Sequence, residues 1–237
     1  MKNAELFTET QEIKAHQQAE KIAELLEADN FFKLRDKIMT SQRLMACYRC
    51  AILEVETKFK VLNEQLSLLH ERNPIESITS RLKSPESIYE KIHRKDLNMS
   101  LENIEENLFD VAGVRVVCSF VDDIYMLADC LLSQDDIRLI KRKDYIKNPK
   151  PNGYRSLHLI IEVPIFLTDE KKMMKVEVQL RTVAMELWAS IEHKIYYKKD
   201  IDEKTAEIAA ERLLRCAEMS AELDKEMQSI RNFIDNN

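Results

Sequence analysis

One stretch decides the fold of this chain: Lys141-Arg142-Lys143-Asp144-Tyr145-Ile146-Lys147-Asn148-Pro149-Lys150-Pro151-Asn152-Gly153-Tyr154-Arg155-Ser156-Leu157-His158-Leu159-Ile160-Ile161. It holds two of the five prolines and one of the two glycines, which predicts a turn, and its apolar end predicts a buried strand. Tyr154, Ser156 and His158 have the same parity in an extended chain, so their side chains point to one side. The pattern predicts a cationic loop that leads into a strand carrying binding groups, and a solvated basic loop is the alternative.

The composition restricts where such a loop can act. The 237 residues carry a formal net charge of −6 and a pI near 5.6, which argues against a general nucleic-acid or membrane-surface binder. Phosphate recognition must therefore be local. The sequence has no signal-peptide core or membrane-spanning run, and its five cysteines lack the spacing of a disulfide framework. We expect a cytoplasmic protein that is neither exported nor bound to a membrane.

Both ends of the chain have the pattern of long helices. Apolar residues recur at steps of three and four from Met45 to Leu69 and again from Leu213 to Ile234. The first stripe predicts a helix from about Ser41 to Glu71, preceded by a helix from Ala4 to Ala28 with a break at Asp29-Asn30. The two stripes could pack on each other or on a second subunit, so a homo-oligomer is one expectation.

The middle of the chain alternates between strand and helix patterns. A β-branched run after Gly113 predicts a central strand, and Met173 to Arg181 alternates apolar and polar residues almost perfectly. The other predicted elements are a helix from Asp122 to about Ser133, a strand from Ile137, a strand from Leu157 to Leu167, and a helix capped by Thr182 that runs to about Lys198. We predict three parts: a helical extension (1–74), a catalytic core (75–200) and a C-terminal helix (201–237).

The N-terminus of a short helix supplies the first candidate site. Ser84 is a suitable N-cap, and the proline after it fits the first turn. Ser87 and Lys91 then lie on one face of this helix, while Arg81 and Lys83 flank its start. Exposed N–H groups, a hydroxyl and several cations suit a polyphosphate, although a capped surface helix would have the same pattern.

Two acidic residues near strands are candidate metal ligands. Asp110 and Arg115 flank the start of the strand after Gly113, where an acid can hold Mg²⁺ and an arginine can stack on a base or grip a phosphate. A surface ion pair is the alternative. Glu177 and Gln179 lie on the polar face of the alternating strand, which would either face water or floor an active site with Glu177 as metal ligand or base.

A third acidic residue lies in an apolar helix face. Glu192 shares the face of Trp188 in the helix after Thr182, where a carboxylate is costly unless it is paired. We expect it to meet a cation or a hydroxyl from the sheet, with His193 beside it. This predicts a structural role for all three side chains.

Together these groups predict a reaction class. They supply two carboxylates that could bind a cation, many hydrogen-bond donors for phosphate oxygens, an aromatic ring that could stack on a nucleobase, and a histidine. That combination favours Mg²⁺-dependent phosphoryl or nucleotidyl transfer. The sequence has no P-loop motif, kinase glycine-rich loop or GxGxxG motif, which excludes P-loop, kinase and Rossmann domains.

The ordered motifs resemble the synthetase domain of the RelA/SpoT family, specifically its stand-alone small alarmone synthetases. Such enzymes transfer pyrophosphate from ATP to the 3′-hydroxyl of GDP or GTP and release AMP. The matching motifs, within about residues 75–198, are Arg81-x-Lys83-x-x-x-Ser87-Ile88-x-x-Lys91, Asp110-x-x-Gly113-x-Arg115, Lys143-Asp144-Tyr145-Ile146 through Pro149-Lys150-x-Asn152-Gly153-Tyr154-Arg155-Ser156-x-His158, Glu177-x-Gln179-x-Arg181-Thr182, and Trp188-Ala189-x-x-Glu192-His193.

The resemblance implies an α+β fold, with a mixed β-sheet flanked by helices as in nucleotidyltransferases, and a homo-oligomer that is a tetramer in the family. It also implies roles for the matching residues. Arg81 and Arg115 would sandwich the adenine of ATP, and its phosphates would be held by Lys83, Ser87, Lys91 and Lys143. Asp110 and Glu177 would coordinate Mg²⁺, with Glu177 also taking the proton of the attacking hydroxyl. The acceptor would be bound by Lys150, Asn152, Tyr154, His158, Gln179 and Glu186, with Tyr154 stacked on guanine.

Two positions depart from the family pattern. Glu186 stands where relatives often carry Asn or Asp that helps to recognise guanine. Lys143 stands where some relatives have arginine, whose bidentate fork a lysine lacks. The chain leaves no room for the hydrolase and regulatory domains of long family members, so we expect synthesis without hydrolysis.

Two other hypotheses stay open at this point. The first is a toxic relative that pyrophosphorylates the 3′ end of tRNA, which should carry a basic patch for RNA. Because the net charge outside the loop is acidic, nucleic acid is not expected as a substrate. The second is an inactive nucleotide-sensing module.

Overall fold

The computed structural model describes residues 28–70, 72–196 and 202–237, which contain six helices and five strands. The helices are α1 (Ala28–His70), α2 (Pro85–Arg94), α3 (Leu101–Asn107), α4 (Val121–Leu132), α5 (Val183–Tyr196) and α6 (Glu203–Asp235). The strands are β1 (Ile75–Leu82), β2 (Ala112–Cys118), β3 (Arg138–Asp144), β4 (Leu157–Phe166) and β5 (Lys171–Thr182). The chain divides into two compact units, residues 1–46 and 47–237, and the sheet belongs to the second.

The five strands form one mixed sheet in the order β1-β2-β5-β4-β3. Only β2 and β5 run parallel, while the other neighbours are antiparallel. The strand register places one residue of each strand in a row across the sheet: Thr79, Arg115, Gln179, His158 and Lys143. Because paired residues share a face, one face of the sheet carries a continuous polar row. The predicted α+β fold with a mixed sheet is confirmed.

The other face of the sheet is apolar. The alternation predicted for β5 is present, because Val176, Val178 and Leu180 are fully buried between polar neighbours. Helix α4 packs against β2 and β5, with Leu127 and Leu131 completely inaccessible to solvent. The polar groups of the opposite face are therefore held on a rigid, packed sheet.

Helix α1 carries the predicted apolar stripe. Val55 and Phe59 are completely buried, and Lys58 on the adjacent turn donates hydrogen bonds to Asp136 at 2.7 and 2.8 Å. The helix also includes Asp29 and Asn30, so the predicted break there is wrong. Without glycine or proline in this segment, nothing in the local sequence stops the helix. The predicted helix from Ala4 to Ala28 lies outside the described residues except for its last position.

The C-terminal stripe has a different environment. Helix α6 begins at an N-cap, Asp202, whose side chain accepts a hydrogen bond from the Thr205 N–H at 3.0 Å. Ala217 is buried, but Met227 and Ile234 are 52% and 67% exposed. The stripe is thus mostly a surface of this chain. None of the described helices combines the length and apolarity needed to cross a bilayer.

Two described elements were not predicted, β1 and α3. Strand β1 lies at the edge of the sheet, and only its first residue, Ile75, is buried. An edge strand that is solvated on both faces lacks the alternation that reveals a half-buried strand. Arg81 consequently lies on β1 and not in the turn before α2.

Candidate active site

A cavity of about 320 Å³ opens where β1, β2 and β5 lie side by side. Six predicted site residues line it: Arg81, Lys83, Asp110, Arg115, Glu177 and Gln179. Three of these are cations, in a protein whose formal net charge is −6. With Asp110 and Glu177 counted as negative, the lining still has one more positive than negative charge, which suits local phosphate recognition.

Asp110 anchors the cationic side of the cavity. Lys91 on α2 donates a hydrogen bond to Asp110 Oδ2 at 2.6 Å, and Lys83 Nζ lies 3.1 Å from the same oxygen. Burial would raise the pKa of Asp110, but the hydrogen bonds and charges of Lys91 and Lys83 outweigh it and lower the pKa. The other oxygen, Oδ1, is buried and has no hydrogen-bond partner among the described residues. A cation or a donor from a ligand could satisfy it.

The start of α2 has the predicted cap. The Ser87 N–H donates to Ser84 Oγ at 3.3 Å, and the two hydroxyl oxygens are 3.2 Å apart. Proline occupies the first turn, as expected. Ser87 lies outside the lining of the cavity, whereas Lys91 reaches the cavity through Asp110.

Glu177 lies at the border between the cavity and the cationic loop. Its Oε2 accepts a hydrogen bond from Gln179 at 2.9 Å, and its Oε1 is 3.3 Å from His158 Nδ1. Burial and the charge of Asp110 would raise the pKa of Glu177, but His158 and Gln179 together lower it. The carboxylate is therefore ionised near neutral pH and can accept a proton or bind a cation.

The loop places an aromatic ring on the far side of Glu177 from the cavity. The Tyr154 hydroxyl lies 2.8 Å from His158 Nε2 and accepts a hydrogen bond from Arg181 at 2.5 Å. Lys150 Nζ lies 4.7 Å from the centre of the Tyr154 ring and 4.9 Å from that of Tyr145. His158 is 8% exposed, and both of its ring nitrogens have partners within this network.

Helices α5 and α6 support the loop from behind. Trp188 Nε1 donates to the Leu213 carbonyl at 2.8 Å, and Tyr154 packs against the buried cluster of Trp188, Ala189 and Ala217. Gly153 has φ of 89°, and a Cβ there would lie 2.5 Å from the Ala217 Cβ. Only glycine fits a left-handed residue at this distance from α6. A structural role for Trp188 stays a prediction.

The neighbouring polar side chains are arranged differently from the prediction. Glu192 accepts a hydrogen bond from the side-chain amide of Asn152 at 3.3 Å. The expected partner, a cation or hydroxyl from the sheet, is therefore wrong, because the loop reaches α5 at this point. His193, the next residue of α5, is exposed.

Lys143, like Ser87, is a predicted ATP ligand that does not line the cavity. It is exposed on β3, the edge strand opposite β1, and pairs with His158 across the sheet. Strands β4 and β5 separate it from Arg115 on β2. Its side chain thus belongs to the loop side of Glu177.

Arg181 belongs to one of the sequence motifs, but no role was predicted for it. It is 5% exposed and donates to three acceptors: Tyr154 at 2.5 Å, Glu186 at 2.7 Å and Gln179 at 3.2 Å. The alternation of β5 could have revealed it, because Arg181 lies on the same polar face of the strand as Glu177 and Gln179. Thr79 and Ser80 also line the cavity and were missed because β1 was not predicted.

The two carboxylates of the cavity can hold a cation only with help from a ligand. No group of three or more His, Cys, Asp or Glu side chains is placed to bind a metal within the described ranges. Asp110 and Glu177 would leave most positions of an octahedral ion to phosphate oxygens and water. That is the ligand set typical of Mg²⁺ bound with a nucleotide.

Comparison with known proteins decides the family. A model described as "Region found in RelA / SpoT proteins" matches residues 80–202. This chain belongs to the RelA/SpoT family. The family predicted from the five ordered motifs is therefore confirmed, and the matched residues contain every group that lines the cavity except Thr79.

Relatives of this RelA/SpoT protein cover most of its length. GTP pyrophosphokinase YwaC from Bacillus subtilis is 45% identical over 188 residues, which are 79% of this chain and 89% of that protein. The crystal structure of small alarmone synthetase 1 from Bacillus subtilis bound to its product pppGpp matches with a TM-score of 0.73 and 36% identity over 82% of this chain and 98% of that one. The same synthetase bound to AMPCPP matches with a TM-score of 0.69 and 34% identity over 84% and 100% of the two chains.

Proposed function

We propose that this protein synthesises (p)ppGpp by transferring the pyrophosphate group of ATP to the 3′-hydroxyl of GDP or GTP, with AMP as the second product. One observation carries the proposal: a cavity rich in cations and a loop with an aromatic ring meet at a single ionised carboxylate, Glu177. A pyrophosphate transfer needs two nucleotides whose reacting atoms meet at such a point. The relatives named GTP pyrophosphokinases support the same activity.

The cavity is the proposed ATP site. Arg81 and Arg115 lie on neighbouring strands, and the residue opposite Arg81 is Gly113, which has no side chain. The two guanidinium groups can therefore stand on either side of an adenine without an intervening side chain. Lys83 and Lys91 would move from Asp110 to the phosphates, and the N-terminus of α2 with Ser87 would add donors. A phosphate role for Lys143 stays a prediction.

Asp110 and Glu177 are the proposed Mg²⁺ ligands. The unpartnered, buried Oδ1 of Asp110 and the ionised Glu177 supply the hard oxygen atoms that this cation prefers. When bound, the ion would neutralise charge on the transferred phosphates and on the leaving AMP.

The loop and its strand form the proposed acceptor site. Tyr154 would stack on guanine, and Lys150 and His158 would contact the 5′-phosphates, with Asn152 and Gln179 helping to orient the nucleotide. The hydrogen bonds from Tyr154 through His158 to Glu177 support this assignment, because they fix the ring relative to the carboxylate. Direct recognition of the guanine by Glu186 stays a prediction.

The chemical step can then be written from these positions. The 3′-oxygen of the acceptor forms a bond to the β-phosphorus of ATP, while the bond between that phosphorus and the oxygen it shares with the α-phosphorus breaks. AMP leaves with that oxygen and its electron pair, and Glu177 Oε1 takes the proton of the hydroxyl. Since a carboxylate with a lowered pKa is a weak base, most of the rate should come from positioning and from the cations around the phosphates.

Further properties are proposed on narrower grounds. The exposed apolar side chains of α6, including Met227 and Ile234, support a homo-oligomer, and light scattering of the purified protein would test for the tetramer. Within the described residues no disulfide joins any of the cysteines, and this supports a cytoplasmic location. Synthesis without hydrolysis is also part of the proposal, and stable pppGpp during incubation with the protein alone would support it.

A product assay tests the proposed function. The protein is incubated with Mg²⁺, ATP labelled in the γ-phosphate, and either GDP, GTP or deacylated tRNA. We expect label on GDP or GTP and none on tRNA. Label found only on tRNA would favour the toxic relative, and binding of nucleotides without any transfer would favour the inactive sensor.

A further inference from the structure

One carboxylate connects the two proposed nucleotide sites. Glu186 lies in the first turn of α5, and its Oε1 accepts a hydrogen bond from Arg115 at 2.8 Å. Its Oε2 accepts from Arg181 at 2.7 Å, and Ser190 donates to Oε1 at 3.0 Å. Arg115 lines the cavity, whereas Arg181 holds the Tyr154 hydroxyl on the other side of Glu177.

The contacts form an unbroken chain between the sites. It runs from Arg115 through Glu186 and Arg181 to Tyr154, and from there through His158 to Glu177. Arg115 and Glu177, the two ends of this series of hydrogen bonds, therefore both line the same cavity. Each member fixes the orientation of the next.

The central part of this hydrogen-bond network is shielded from water, so water cannot easily replace a lost partner. The side chain of Arg181 is 6% exposed and that of Glu186 is 23% exposed. A buried guanidinium that loses its carboxylate keeps its charge and must find another acceptor. If Glu186 is neutralised, we expect Arg181 to shift toward its remaining acceptors, Gln179 and Tyr154, and to disturb both.

The same contacts restrict what else Glu186 can do. A carboxylate has about four lone-pair directions, and three donors already occupy this one. Two of those donors are permanently charged guanidinium groups. One direction is left, so Glu186 could accept from both the N1–H and the 2-amino group of a guanine only by displacing one of its present donors.

We propose that Glu186 is a positioning residue that couples the two nucleotide sites, by holding Arg115 at the ATP cavity and Arg181 behind the tyrosine of the acceptor site. This inference rests on the proposed function, because it takes the cavity and the loop as donor and acceptor sites. An acceptor that fixes Tyr154 would also fix Arg115 through this chain, and ATP would act in the reverse direction. Coupling of this kind is reciprocal by thermodynamic necessity.

The test uses Glu186→Gln, which keeps the size of the side chain and removes its charge. We expect the KM values for both ATP and GTP to rise by about tenfold, since one charge-assisted hydrogen bond is weakened on each side. Calorimetry with AMPCPP should show tighter binding in the presence of GDP for the wild type, and this enhancement should be lost in the variant. ITP differs from GTP only in lacking the 2-amino group of the base. The ratio of GTP to ITP use should therefore not change, because under this proposal Glu186 does not contact the base.

Two further variants complete the experiment. Glu186→Asp keeps the carboxylate and should restore part of the coupling, whereas Arg181→Lys loses the fork and should resemble Glu186→Gln. Glu162→Gln is the matched control, because it removes a carboxylate paired with Arg138 outside both sites. Thermal melting identifies any variant that fails to fold, and Glu186→Asp then provides the comparison.

The outcomes separate this inference from the proposed function. A change in the ratio of GTP to ITP use with an unaltered affinity for AMPCPP would overturn it and assign Glu186 to base recognition. Unchanged KM values and unchanged coupling would overturn it as well. If the wild type itself makes no product from ATP and GTP, the proposed function fails instead, and the calorimetric coupling still reports on Glu186.

Discussion

Replacing Tyr154 with phenylalanine removes one hydroxyl and leaves the ring in place. That hydroxyl accepts a hydrogen bond from Arg181 at 2.5 Å and lies 2.8 Å from His158 Nε2. A hydrogen bond to a charged group contributes about 1.5–3 kcal/mol. Because Arg181 keeps Gln179 and Glu186 as acceptors, we take the lower end of that range. The expected loss in kcat/KM for GTP is roughly tenfold.

Replacing Tyr154 with alanine also removes the ring. Stacking of a base on an aromatic side chain contributes about 1–3 kcal/mol. The ring also interacts with Lys150 Nζ at 4.7 Å and with the Arg181 guanidinium at 5.0 Å, so both cations lose a partner. We expect kcat/KM for GTP to fall by about 100-fold or more, the sum of the hydroxyl and stacking losses.

The affinity for the donor should respond differently. Tyr154 does not line the cavity, so the dissociation constant for AMPCPP without acceptor should stay within about threefold of the wild-type value for both variants. Steady-state kinetics with varied GTP at saturating ATP, combined with calorimetry, measures both quantities. Tyr48→Phe is the control, because it removes a tyrosine hydroxyl on α1, outside the two sites. Equal losses for donor and acceptor would refute the division of the site at Glu177.

Three other predictions follow from the same structure. Glu177→Gln should lower product formation by about 1000-fold, within the range for loss of a general base, while AMPCPP still binds; turnover at the wild-type rate would remove Glu177 from the mechanism. Gly153→Ala should lower the free energy of unfolding by about 1–3 kcal/mol in urea titrations, because φ is 89° and the new Cβ meets Ala217, whereas Gly113→Ala should not; equal effects would contradict the strain argument. Burial raises the pKa of Asp224 from 3.8, so its protonated form contributes stability at low pH that is lost as the pH rises through the raised pKa. Asp224→Asn should thus raise the melting temperature more at pH 7 than at pH 4, and the reverse order would show that the carboxylate is stabilising when charged.

The elements that the sequence predicted best are those with one buried face. Phe59 on α1 and Val178 on β5 are completely buried at the positions that the period of each pattern requires. Their burial depends on local periodicity, which a single sequence contains. The same holds for the cap at Ser84, where the residue types and their spacing fix a local hydrogen bond.

The strand order and register depend on information that is not local. Lys143 and Arg115 both belong to ordered motifs, but the sheet places them on β3 and β2 with two strands between them. No spacing along the chain reveals which strands are neighbours. The polar edge strand β1 escaped prediction for a related reason, because an exposed strand shows no alternation.

The apolar stripe of α6 shows a different limit. A three-four repeat predicts an amphipathic helix, but it has the same form whether the apolar face meets the core or a second subunit. The described contacts bury Ala217 and leave Met227 exposed. The bridge at Glu186 was also beyond prediction, since its partners Arg115 and Arg181 lie on different strands that meet only in the folded sheet.

The most direct test of the account is the identity of the two products formed from ATP and GTP. Phosphorus NMR and mass spectrometry of the complete reaction with Mg²⁺ would resolve the guanosine product and the adenosine product separately. We predict equimolar AMP and a guanosine nucleotide that carries a pyrophosphate on its 3′-oxygen, with both products formed about 1000-fold more slowly by Glu177→Gln. Formation of ADP, or AMP released without a modified guanosine nucleotide, would contradict the transfer of pyrophosphate between the two sites.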